Sequence, residues 1–356
     1  MDKDLLDLYT DYLISSFGQV TATGLSALLG NAVSHDRITR LLSGRDFTSA
    51  DLWQTVKPIV RQVPSEDAVL IIDDSIEAKP YTDESELVCW HWDHTVNRSV
   101  KGINLLTTLY HSQGVSLPVA FELVTKPDWV TDKKTGRQKR AAKQTKNDLY
   151  RQMLSACVRN EIAFRYVLND IWFASAENMI FVKETLKRDF VMPLKSNRKV
   201  TKDAPGTANR RFVPVSELSL EENVPLTVWL EDIDFPLLLC KQVFINADDS
   251  SGTLYLVTSD TTLTAEQIQT LYQKRWKVEE YHKSLKSNLA FAKSPTKTVR
   301  TQSNHLFACL LAFVKMEQMR MKTQLNHFAM KTNLYRAALQ SAFQQLQGLK
   351  ANCSLA

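Results

Sequence analysis

Between Ala68 and Lys195, strand-like and helical segments follow one another in an order that few folds accommodate. AVLIID (Ala68 to Asp73) is a short apolar run ending in an acid. GINLLTTLYHS and VSLPVAFELVT follow, both of β-type composition, with a Gln113-Gly114 turn between them that reads as a hairpin. A basic segment comes next, then a helix over Lys146 to Arg159 and the strand FRYVLND, which ends at Asp170. A helix over Ala174 to Arg188 and the strand FVMPLK complete the series. The expected order is therefore β-β-β-α-β-α-β.

That order matches an RNase H-like core. The expected fold class is α/β: an RNase H-like mixed-sheet catalytic core interrupted by a β-rich insertion, with an N-terminal helical domain and C-terminal helices. The insertion is read from Pro and Gly punctuation and the strand-like pieces RRFVPVSEL, LTVWLEDI, PLLLCKQVFIN and GTLYLVTSD between Ser196 and Asp260. Helical periodicity resumes at Thr264, an N-cap with Glu266 behind it, and continues to about Gln347. Upstream, Leu5 to Gln62 read as helices. TATGLSALLG and SHDRITRLLSG, broken at Asn31, resemble a helix-turn-helix that exposes Asp36, Arg37, Thr39 and Arg40. Val63 to Glu66 look like a linker. The expected units are 1–66 (helical, a candidate DNA-binding domain), 67–195 (first part of the core), 196–262 (insertion), 263–325 (second part of the core) and 326–356 (helical tail).

Composition narrows the function classes. A chain of 356 residues, 44% hydrophobic, buries a large core and has the length for two or three domains. The apolar run from Leu306 to Val314 ends at Lys315, far short of the ~20 residues that cross a bilayer. MDKDLLDLYTDYL is acidic and amphipathic without a basic flank, so no signal or transit peptide is expected, and a cytosolic location is. Cys89, Cys157, Cys240, Cys309 and Cys353 are scattered without a CxxC pair, which argues against a disulfide framework and structural zinc. Net charge is only +5, but Lys133, Lys134, Arg137, Lys139, Arg140, Lys143 and Lys146 crowd one segment. Such a patch is either a solvated loop or a polyanion contact.

LYQKRWKVEEYHKSLKSNLAF (Leu271 to Phe291) gathers Tyr272, Arg275, Glu279, His282 and Lys286 on one side of a helix, within an arc of roughly 80° at about 100° per residue. Leu271, Val278, Leu285 and Leu289 form an apolar stripe beside it. A solvated face stitched by ion pairs fits poorly. Arg275 precedes Glu279 by four residues, the less favourable order, and the polar stripe adjoins the apolar one. A carboxylate there is partly shielded and needs a partner or a task.

Three acids are placed to meet. Asp73 ends the first strand, Asp170 ends the fourth, and Glu279 lies on the later helix. Clustered carboxylates repel and call for cations. Two Mg²⁺ ions roughly 4 Å apart would activate a water or 3′-hydroxyl and stabilise the leaving oxygen of a phosphodiester, with Mn²⁺ as a substitute. Asp74 competes for the first position; Asp73 is preferred because Asp73-Asp74-Ser75 sets a hydroxyl two residues beyond it.

Tyr272-x2-Arg275-x3-Glu279-x6-Lys286 resembles the Y-R-E-K signature of bacterial insertion-sequence transposases of the DDE superfamily, of the IS-four type. Asp170-Ile171-Trp172-Phe173 is similar to the second-acid motif of that family, with Trp172 where a small residue is common, and the likeness spans roughly Ala68 to Val314. It implies that Asp73, Asp170 and Glu279 are the metal and catalytic triad for strand cleavage and for 3′-hydroxyl attack on target DNA. It also implies that Tyr272, Arg275 and Lys286 grip phosphates. Implied partners are double-stranded DNA, as transposon ends and target, and a second copy in a DNA-bound homodimer, with no membrane. The implied location is bacterial, nucleoid-associated cytoplasm. Arg37, Arg40, Lys139, Arg140 and Lys143 are the further DNA-binding candidates.

Other residues read more plainly. His91, Asp93 and His94 in CWHWDHTVNRS suggest a loop beside the active site or DNA rather than zinc. Trp229 reads as core, and His282 as either a contact to DNA or water or a packed side chain. LIIDDS also fits a haloacid-dehalogenase-like phosphatase, but Ser75 stands where that chemistry wants a second acid. A transposase-derived DNA-binding protein without catalysis and an RNase H-like nuclease lacking strand transfer are the further alternatives.

Overall fold

The N-terminal segment folds as helices because its apolar residues recur at helical spacing and its helix starts carry capping oxygens. α1 (Lys3–Ser15) buries Leu5, Leu6, Tyr9 and Leu13. Thr21 and Ser34 cap α2 (Ala22–Leu28) and α3 (His35–Ser43), each hydroxyl accepting a backbone N–H of the first turn. At α4 (Ser49–Val60), Asp51 reaches back to accept the Thr48 N–H at 2.9 Å. The computed structural model describes residues 3–94, 96–133, 135–245 and 249–353. Lys134 of the basic segment and Asn246 of the insertion lie outside them, as does the side chain of Cys353.

β1 (Val69–Ala78) runs five residues beyond Asp73, past its expected end. Its ladder explains this. After β2 (Cys89–Asp93), the long β3 (Arg98–Ser112) pairs antiparallel with all of β1, from Val69 opposite His111 to Ala78 opposite Gly102. β2 and β4 (Val115–Leu123) lie end to end along the other edge of β3. CWHWD, expected as loop, is thus an edge strand in which buried Cys89 and His91 alternate with exposed Trp90 and Trp92. The basic segment, read as either a solvated loop or a polyanion contact, forms a separate hairpin of β5 (Asp128–Thr131) and β6 (Gln138–Ala141).

α5 (Lys146–Arg159) leads to β7 (Tyr166–Asn169), parallel to β1. α6 (Ala176–Ile180) continues into a π-helical turn, Phe181–Thr185, and β8 (Asp189–Leu194) runs parallel to β7. The order β4-β3-β1-β7-β8, antiparallel among the first three and parallel across the last two, is that of an RNase H-like core. Val69 to Ile72 are fully buried at its centre, each contributing roughly 1.5–3 kcal/mol by burial.

The β-rich insertion lengthens this sheet. β9 (Lys199–Thr201), β10 (Val213–Pro214), β11 (Leu226–Leu230), β12 (Leu237–Ile245) and β13 (Ser251–Thr258) continue from β8 in the order β13, β12, β11, β9, β10. Trp229 is half-buried in β11 opposite Thr201.

The helix expected across Leu271 to Phe291 is two: α7 (Ala265–Gln273) and α8 (Trp276–Asn288). Between them the chain tightens through i→i+3 bonds, Lys274 N–H to Leu271 and Arg275 N–H to Tyr272. The stripe of Leu271, Val278, Leu285 and Leu289 is buried, as its spacing predicts. α9 (Val299–Thr323) carries the apolar run Leu306 to Val314 through the interior and anchors the N-terminal helices. There the buried Asn304 amide donates to Leu42 and Arg45 carbonyls and accepts the Phe47 N–H. α10 (His327–Cys353) follows. Among the described residues, no helix is long and apolar enough to cross a membrane. Cys89, Cys157, Cys240 and Cys309 are buried free thiols.

A candidate metal centre and nucleic-acid interface

The parallel ladder of β1 and β7 ends where Ile72 faces Asn169. The next residues are Asp73 and Asp170, so the register sets the two acids side by side although 97 positions separate them. Asp170 is fixed there by a tight turn, its Oδ1 accepting the N–H groups of Trp172 (3.1 Å) and Phe173 (3.2 Å). The preceding Asn169 is held from below by the Tyr150 hydroxyl at 3.0 Å.

α8 supplies the third side of the site. Arg275 Nη1 lies 3.1 Å from Glu279 Oε1 and 3.9 Å from Asp73 Oδ2. The Arg275–Glu279 pair therefore forms, contrary to the expectation from their order. The guanidinium is mostly buried and is shared between two carboxylates, which outweighs the unfavourable sequence direction. Tyr272 packs its ring 5.7 Å from the same guanidinium. Lys286 Nζ donates to the Ile76 carbonyl at 3.1 Å, further along β1.

Charge in the site is incompletely balanced. Burial raises the Asp73 carboxyl well above the usual carboxylate range, and the neighbouring Asp170, Asp74 and Glu279 raise it further. Burial raises Asp170 too, against the opposing bonds from Phe173 and Trp172. Burial drives Tyr272 up to about 12 and His282 down to about 3, the latter helped by Lys286 and Arg275. His282 Nε2 is buried without a hydrogen-bond partner. Among the described residues, one group of side chains comes close enough to hold a metal ion: Asp73, Glu279 and His282, with ligand atoms within 4.8 Å of one another. Hard carboxylate oxygens, a neutral imidazole and a carboxyl destabilised by like charges suit a divalent cation. Asp170 flanks this group with one oxygen engaged by its own turn. His91, Asp93 and His94 form no comparable group; His91 Nε2 instead meets Cys89 Sγ at 3.3 Å.

Asp74 points to the opposite face of β1, as the alternation of a strand requires. Both its oxygens lie 3.0 Å from Lys146 Nζ, and Oδ2 accepts from Asn104 Nδ2 at 2.7 Å. The same ammonium sits 4.3 Å from the centroid of the Trp172 ring. Asn104, Lys146 and Trp172 are thus neighbours of the site that the sequence assigned no such place. Trp172 alone carried a signal, as a bulky residue after the second acid. His282 carried one too, three residues beyond Glu279 on the same helix.

The remaining candidates lie elsewhere. Arg37 and Arg40 are exposed on α3, whose other side buries Ile38 and Leu42. Lys139 and Arg140 lie on β6. Lys139 Nζ is 2.5 Å from Asp132, and Arg140 is bound to Glu84 at 3.1 Å while its guanidinium covers the Trp129 ring at 4.5 Å. Lys143 is exposed just beyond the hairpin.

A family model described as DDE superfamily endonuclease matches residues 2–211, and one described as Transposase DDE domain matches residues 120–314. No curated protein matches the chain. Among solved structures it is similar to the Drosophila P element transposase strand transfer complex, at 13% identity and a TM-score of 0.24, over 48% of this chain and 33% of that one. The match spans a third of that chain and bears no weight at such a score. Each family match covers more than half of the present sequence, and together they include β1, β7 and α8, which carry the three acids. The chain belongs to the DDE superfamily of transposases and endonucleases.

Proposed function

We propose that this protein is a DNA transposase of the IS-four type, which binds the terminal inverted repeats of its element, cleaves there and joins the freed 3′ ends to target DNA. The observation that carries the reading is the convergence of Asp73, Asp170 and Glu279 from two strands and a helix, around a carboxyl that burial and like charges leave strained.

Asp73, Asp170 and Glu279 would hold two Mg²⁺ ions, with Mn²⁺ as a substitute, and His282 lies within reach of the same position. When bound, such ions supply Lewis-acid activation of the attacking oxygen and stabilisation of the leaving one. The residues of the chain do the rest. Arg275 offsets the acids before DNA arrives, and with Tyr272 and Lys286 it presents donors to the phosphates next to the scissile bond. Arg37 and Arg40, on the exposed side of α3 in the 1–66 unit, and Lys139, Arg140 and Lys143 around the basic hairpin would hold the duplex through its backbone. A pair of copies would act on the two ends of one element.

The haloacid-dehalogenase-like alternative gains nothing from the fold: β1 runs on through Ser75 to Ala78 beside its antiparallel partner. Incubating purified protein with Mg²⁺ or Mn²⁺ and DNA that spans its own gene and flanks tests the proposal. Cuts at the inverted-repeat ends, lost in Glu279→Gln, support it. Tight binding without cuts under any metal condition points to the non-catalytic DNA-binding derivative.

A further inference from the structure

Three tryptophans stand half in solvent around the basic hairpin: Trp90 (54% exposed), Trp92 (50%) and Trp129 (56%). Indoles that size are normally covered. Lys126 joins them, its Nζ donating to the Trp90 carbonyl at 2.6 Å and its own carbonyl accepting from Arg140, which covers Trp129. Between positions 128 and 146, seven basic residues stand against two acidic ones. Asp132, one of those two, and the nearby Glu84 are taken up by Lys139 and Arg140, while Arg137 and Lys143 stand exposed.

The sheet register ties this surface to the acids. Asp73 faces Thr107 and Trp90 faces Lys101, six residues apart on β3, so their side chains emerge on one face of the sheet. Trp92, opposite Ser99, shares it. The separation along β3 is about 20 Å. We propose that Trp90, Trp92 and Trp129, with the basic hairpin, form a platform on which unpaired DNA bases stack as a strand leaves the catalytic acids. Charge selects a polyanion, and exposed indole faces select unstacked bases, because the bases of an intact duplex present only their edges.

The proposal rests on the DNA reading above, and its test is kept separate from cleavage. Binding is measured by fluorescence anisotropy in EDTA, with a labelled oligothymidine about a dozen nucleotides long and a blunt duplex of equal length. Trp90→Ala, Trp92→Ala and Trp129→Ala are each expected to weaken single-strand binding roughly tenfold, with duplex binding changed by less than about twofold, and the Phe substitutions to recover most of the loss. Single-strand binding unchanged in all three variants, or equal losses for both probes, overturns the platform. So does tighter binding of an oligouridine than of the oligothymidine, which points to RNA. If end-specific cuts persist while the variants bind like the native protein, the platform fails and the transposase reading stands. If binding depends on tryptophan but no cuts occur, the platform stands without that reading.

Discussion

Arg275, at the N-terminal cap of α8, reaches Glu279 in the first turn of that helix at 3.1 Å, and its guanidinium stands at the same time 3.9 Å from Asp73 on the sheet. One cation therefore bridges the strand acid and the helix acid. Replacing it should leave two carboxylates facing each other. Arg275→Ala is expected to lower stability in EDTA by about 1–3 kcal/mol, seen as a lower urea midpoint. Millimolar Mn²⁺ should restore more stability to the variant than to the native protein. A variant as stable as the parent and indifferent to metal would remove the bridging role.

Asp73 and Asp74 leave β1 on opposite faces, and their substitutions should separate cleanly. Asp73→Asn is expected to reduce metal-dependent nicking by roughly two orders of magnitude or more while the fold survives. Asp74→Asn breaks the ion pair with Lys146 but keeps the bond from Asn104 open to it, so it should lower the melting temperature and leave measurable nicking. The reverse pattern would make Asp74 the first acid.

The buried groups set opposite pH slopes in metal-free protein. The raised carboxyl of Asp73 favours the protonated folded state, so its stabilising contribution is complete below the ordinary carboxylate range and is lost as pH rises through the raised value. His282, held down to about 3, acts the other way: its contribution is complete above the ordinary histidine value of about 6.5 and is lost as pH falls toward 3. Thermal melts in EDTA should lose the decline that sets in above the ordinary carboxylate range in Asp73→Asn, and the decline below about 6.5 in His282→Gln. Identical profiles in both variants and the parent would rule out these assignments.

The core strands and the Glu279 helix were legible because their apolar residues alternate or recur at a period that identifies the buried face. What escaped was set by distant partners. β1 reads as ending at Asp73 because the apolar run stops there, yet β3 pairs with it as far as Ala78. Cys89 to Asp93 look like a loop until the edge of β3 gives them a ladder. The hairpin of β5 and β6 lacks apolar alternation because most of it faces water. The split between α7 and α8 depends on i→i+3 bonds that side-chain periodicity does not report. The strand-end places of Asp73 and Asp170 and the helical place of Glu279 could be read from local sequence, but the pairing of Asp74 with Lys146 could not, since 72 positions separate them.

Titration of Mn²⁺ binding beside a cleavage assay decides whether Glu279 completes a metal site with Asp73 and Asp170. Native protein should bind Mn²⁺ and cut the ends of its own element, and Glu279→Gln should lose both while retaining DNA affinity. Undiminished Mn²⁺ binding and cutting in Glu279→Gln would exclude Glu279 from the metal site.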